Sequence, residues 1–136
     1  MITCAQLLFP RIVAEKLTPL VGIPCTATAA TAALAAPCVV VEAPDMEMKG
    51  PALAVLTLTI ETRYRPDLDD IDNVCGYHDS AQGAFQQELG TTISAAAAAI
   101  GITVRKALLT GSNHQTEGAD RQCQLTARWR VELTSF

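Results

Sequence analysis

The sequence predicts a single α+β domain, with helices packed on an antiparallel or mixed four-stranded sheet in the order α-β-β-α-β-β. Three observations carry this expectation. Two long segments, residues 53–65 and 122–133, alternate apolar and polar side chains with period two. Between them, residues 70–89 place apolar side chains at helical spacing. At 136 residues, the chain (1-136) has the length of one domain that buries roughly two-thirds of its unfolded surface, and no repeat or linker composition divides it.

Each element has its own signal. In residues 2–21, Ile2, Ala5, Leu8, Ile12, Leu17 and Leu20 recur at three- to five-residue spacing, and Gly22 and Pro24 end the pattern. Pro10 either kinks this helix or marks its first turn. Residues 26–36, rich in Ala and Thr, predict a short helix or a loop. The β-branched run at 38–42 predicts a first strand. Residues 43–51, with Pro44, Gly50 and Pro51, read as a connection into the second strand. There Ala54, Leu56, Leu58, Ile60 and Tyr64 form the buried row.

Pro66 ends that strand, and the acidic residues that follow suit a helix N-terminus. The helix over 70–89 turns Val74, Tyr77 or His78, Ala81, Phe85 and Leu89 inward. Gly90 caps it, and a second helical segment spans 93–100. Residues 102–109 predict the third strand, 110–121 a polar loop, and 122–133 the fourth. In that last strand Cys123, Leu125, Ala127, Trp129, Val131 and Leu133 form the buried row.

Composition narrows the function. Hydrophobic residues make up 49% of the chain, too many for a disordered one, but much of this is Ala, with one Trp, two Tyr and three Phe. So thin a core points to completion by neighbouring subunits. The net charge of −4 argues against a stable partnership with nucleic acid, which needs a basic patch. The five cysteines, Cys4, Cys25, Cys38, Cys75 and Cys123, are odd in number and not tightly paired, which reads as thiols acting as small hydrophobes in a reducing cytosol. No apolar run approaches the roughly 18 residues of a membrane helix, so no membrane partner is expected.

The constellations that could carry chemistry fall short of it. Asp67, Asp69, Asp70 and Asp72 resemble the start of an EF-hand loop. The required oxygen ligand and glycine positions are filled by Ile71 and Asp72, so a solvated helix start fits better. Cys75 and His78 could share one metal ion, but a structural zinc site needs a second pair. Cys75, His78 and Asp79 lie too close on one helix for a nucleophile relay. Gly76, Gly83 and Gly90, spaced by seven, are no phosphate loop and suggest close helix packing or kinks. No catalytic residue, cofactor or metal is expected. The polar row of Arg63, Arg65, Arg128, Arg130 and Glu132 reads as a solvated sheet face or a subunit contact. His114 and Gln115, in the polar loop, read as a mobile hairpin tip or a segment that orders against a neighbour.

Taken along the chain, the N-terminal helix ending in Leu17-Thr-Pro-Leu-Val-Gly-Ile-Pro24, the strand Pro37-Cys-Val-Val-Val-Glu-Ala-Pro44, the strand Leu56-Thr-Leu-Thr-Ile-Glu-Thr-Arg63, the Asp-rich turn into a long helix and the closing alternating strand resemble the tail-terminator (tail-completion) proteins of long-tailed bacteriophages. The resemblance covers nearly the whole chain. It implies a homohexameric ring in the virion, at the head-proximal end of a tail tube, assembled in the host cytoplasm. Such a ring stops tube polymerisation and joins the neck, with the tail tube protein and a neck or connector protein as partners. Genomic DNA would pass through the lumen without specific binding. Six copies at −4 each carry about −24, which repels phosphate along a lumen, and Asp67, Asp69, Asp70 and Asp72 are the candidate lumenal or rim charges. Arg63, Arg65, Arg128, Arg130, Glu132, His114 and Gln115 are the candidate interface residues. The alternatives are another head–tail connector or neck protein, or a small cytosolic enzyme or ligand-binding domain.

Overall fold

The protein is described from a computed structural model, covering residues 2–27, 36–116 and 122–135. The elements are α1 (Ala5–Val21, entered through a 3₁₀ turn at Ile2–Cys4), β1 (Cys25–Thr26), β2 (Cys38–Met48), β3 (Leu53–Tyr64), α2 (Ile71–Glu88), α3 (Thr92–Ala99), β4 (Ile102–Gln115) and β5 (Cys123–Ser135). The α+β class is as expected, but the sheet has five strands rather than four, ordered β1-β2-β3-β5-β4. The added strand is β1, two residues paired parallel to Val39 and Val40. The other pairs are antiparallel, so the sheet is mixed. Two residues are too short to leave a periodic signal, so β1 was not legible in the sequence. Most of the 26–36 segment lies outside the described residues.

The two alternating strands behave as their pattern requires. β3 runs Ala54, Leu56, Leu58, Ile60, Thr62 and Tyr64 along its buried row. It pairs in unbroken register with β5, whose Ala127, Trp129, Val131 and Leu133 continue the same face. α1, α2 and α3 all lie on that face, and one cluster joins them to it, with Phe9, Val13 and Leu17 of α1 and Ala81 and Phe85 of α2 at its centre. Phe85 meets Trp129 edge to face at a centroid distance of 4.9 Å, and the indole N–H donates to Gln82 Oε1 at 2.8 Å. Trp129 is thus satisfied at both its apolar body and its polar tip.

Other boundaries differ from the sequence reading for identifiable reasons. α1 runs continuously through Pro10 and Pro19, and its buried stripe is Ala5, Phe9, Pro10, Val13, Ala14, Leu17 and Val21, with Leu20 exposed. So many apolar residues surround this helix that spacing alone did not fix which stripe faces inward. Gly22, at φ +86°, closes it in the left-handed conformation that favours glycine. β2 continues past 42 to Met48 instead of giving way to a connection, and a bulge between Glu42 and Asp45 absorbs Pro44. A proline is tolerated there because this part of β2 lies on the sheet edge, beyond β1. β4 likewise extends to Gln115, so 110–115 is strand rather than loop, while 117–121 lie outside the described residues. Bulges at Arg105 and Thr110 break its alternation, which hid the strand in the sequence. At Gly76, Gly83 and Gly90 a Cβ would meet open space, so these glycines are not close-packing points.

Candidate functional site

The helices cover one side of the sheet, and the other side is the candidate surface. Cross-strand registers fix what it carries, because directly paired residues share a face. Three successive rungs run from β2 through β3 and β5 to β4. They are Glu42–Thr59–Arg128–Gly111, Asp45–Thr57–Arg130–Leu108 and Glu47–Val55–Glu132–Lys106. Each begins with an acid on β2 and holds a base on β5 or β4. The face is therefore polarised, acidic along one margin and basic along the other.

Among the described residues most of these charges have no ion partner. Asp45, Glu47, Lys106, Arg128 and Arg130 are exposed and Glu42 is half-buried. The β2 acids and β5 bases of one rung stand two strand spacings apart, roughly 10 Å. Among the described residues Glu42, Asp45, Lys106 and Arg128 make no ion pair, Glu47 pairs with Lys49 at 2.9 Å, and Arg130 reaches Glu132 only at 3.9 Å. The Arg128 guanidinium passes beside Gly111, where a Cβ would sit 4.0 Å from its nearer terminal nitrogen. It thus reaches from β5 towards the β4 edge across a residue that has no side chain.

The remaining sequence candidates divide by position. Arg63 shares the open face but is already held by Glu61 at 2.7 Å, both side chains less than a fifth exposed. With Glu61 it stands opposite Cys38 and Val40, which are buried on this side of the sheet. Burial pushes the Cys38 thiol pKa up, with the Arg63 charge opposing the shift.

Arg65 lies beyond the end of β3. Its guanidinium meets Asp67 at 3.2 Å, and its backbone N–H donates to Asp69 at 2.7 Å. Asp70 is the N-cap of α2, accepting from the Asn73 N–H at 3.4 Å, and Asp72 sits exposed in the first turn. The acidic cluster therefore shapes the β3–α2 corner, and three of its four members have local partners there.

His114 is not in a loop but on β4, where its Nε2 lies 2.7 Å from the Tyr64 hydroxyl and its ring stacks on Tyr64. Gln115 is exposed at the end of β4, opposite Gln124. Tyr64, Val74, Cys75, His114, Leu125 and the exposed Ile71 line an apolar notch of about 220 Å³. The His78 Nδ1 lies 2.8 Å from the buried Thr62 hydroxyl. Desolvation holds the His78 pKa below the ordinary histidine value.

Sequence reasoning found the basic side of the open face and missed the acidic side. Glu42 falls at the end of the expected first strand, while Asp45 and Glu47 fall in the expected connection over 43–51, which Pro44, Gly50 and Pro51 suggest. The signal was present in Asp45-Met-Glu-Met48, which alternates once the bulge is allowed for.

No protein-family model matches the chain, and no curated protein matches it. The fold is similar to that of a chain in a solved structure described as the virion of native gene transfer agent (GTA) particle. The likeness has a TM-score of 0.56 at 9% sequence identity and spans 91% of this chain and 92% of that one. At that identity it defines a shared fold, nearly end to end.

Proposed function

We propose that the protein is a structural subunit of a phage-like virion. In our reading it forms a homohexameric ring at the head-proximal end of a tail tube, ends tube polymerisation and joins the neck. Its role is assembly rather than catalysis, and its partners are further copies of itself, the tail tube protein and a neck protein. The observation that carries the proposal is the fold shared along almost the full length of both chains with a component of the gene transfer agent virion. The polarised open face supports self-assembly, because a surface with opposite charge at its two margins suits head-to-tail contacts that close into a ring. Genomic DNA passes through the lumen without specific binding, and the net charge of −4 per chain is consistent with this.

Removing the protein from its particle tests the terminator role. The expected result is overlong tails lacking heads. Tails of normal length joined to heads would contradict it. The same fold observation also fits another neck or connector position, and imaging the particle separates the two.

A further inference from the structure

We propose that the basic margin of the open sheet face, formed by Lys106, Arg128 and Arg130, docks against the acidic β2 margin, Glu42, Asp45 and Glu47, of a second copy of this chain. The inference rests on the ring reading and names the contact that would build the ring.

Three observations converge on it. The first is charge: successive rungs place acids at the β2 margin and bases at the β5–β4 margin, with Glu132 the one acid of these rungs on β5. Among the described residues most of the marginal groups make no ion pair. Opposite margins on one rigid sheet cannot neutralise each other, but they can meet between neighbours. The second is reach. Arg128 extends across to β4, where its guanidinium lies 4.0 Å from the place a Cβ would take at Gly111, an ordinary contact distance. The third is strand direction. Among the described residues β4 has no partner on its outer side, and β1 covers β2 only at Val39 and Val40. Alternating directions along β2-β3-β5-β4 make the next strand antiparallel if it is β2 of a neighbour. With the rungs in line, Lys106 faces Glu47 of the second copy, and Arg128 reaches towards its Glu42. Such a contact is head-to-tail, the type that closes rings.

Charge reversal tests this directly. One variant carries K106E and R128E, and a second carries E42K and E47K. Each has two like-charged margins, and sedimentation velocity at low salt should show self-association weakened by about tenfold or more, the scale of losing a close interfacial charge pair. Mixing the two variants one to one, or combining all four substitutions in one chain, should restore association, because complementary margins again meet. Circular dichroism checks that each variant is folded, and the restored four-substitution chain guards against a simple folding defect. Wild-type rings whose association is unmoved by either reversal, or variants not rescued by mixing, would overturn this interface and leave the ring reading standing. A wild-type chain that stays monomeric in solution and in the particle would overturn both.

Discussion

At the level of single residues, Trp129 and His78 show how little redundancy the core holds. Few aromatics are present, so Trp129 carries a large share of the apolar contact with α2 through Phe85, and its N–H donates to Gln82 Oε1. Trp129→Ala should cost about 3–5 kcal/mol, since it removes the anchor and leaves the Gln82 carbonyl without its donor. Urea denaturation reads this loss; a change under 1 kcal/mol would show that the anchor does not hold the core. His78 gives a pH-dependent counterpart. Burial lowers its pKa from the ordinary 6.5, and Asp79 opposes the shift. The unfolded chain therefore binds a proton more readily than the folded one. Stability contributed by the neutral ring is fully present above about pH 6.5 and falls as pH drops towards the folded-state value. Thermal melting should show a decline below pH 6.5 that His78→Gln reduces; an identical decline in the variant would remove His78 from the account.

Among the elements, α2 depends on its start as well as its stripe. Asp70 caps it while Arg65, Asp67 and Asp69 shape the corner that delivers it. Asp70→Ala should lower stability by about 1 kcal/mol, a shift of a few degrees in the melting midpoint. Asp72→Asn, which has no capping bond to lose, should cost less, and equal effects would contradict the capping assignment. This helix, β3 and β5 were legible in the sequence because each buries one face along a regular period. Val74, Ala81 and Phe85 keep helical spacing, and the β3 and β5 rows keep a period of two. The elements that were misread are those whose periodicity is broken or masked. β2 is interrupted at Pro44, β4 by bulges at Arg105 and Thr110, and α1 carries apolar residues on several sides. The candidate surface was half legible for the same reason: its basic row lies on the regular strand β5, and its acidic row on the bulged strand β2.

On the scale of the whole molecule, helices seal one side of the sheet while the other carries separated charges. Among the described residues the outer side of β4 and the part of β2 beyond β1 have no strand partner. Exposed edges invite pairing with another chain, and natural proteins otherwise shield them with charge, proline or bulges. Here both exposed margins carry charge, but of opposite sign, which discourages like margins from meeting and favours one orderly contact. In the proposed reading, such margins suit a closed ring more than an isolated monomer. Imaging the intact particle by electron cryomicroscopy, with this chain located in the density, tests that claim most directly. The account predicts a single sixfold ring of this chain at the head-proximal end of the tail tube; finding the chain outside such a ring, or absent from the particle, would contradict it.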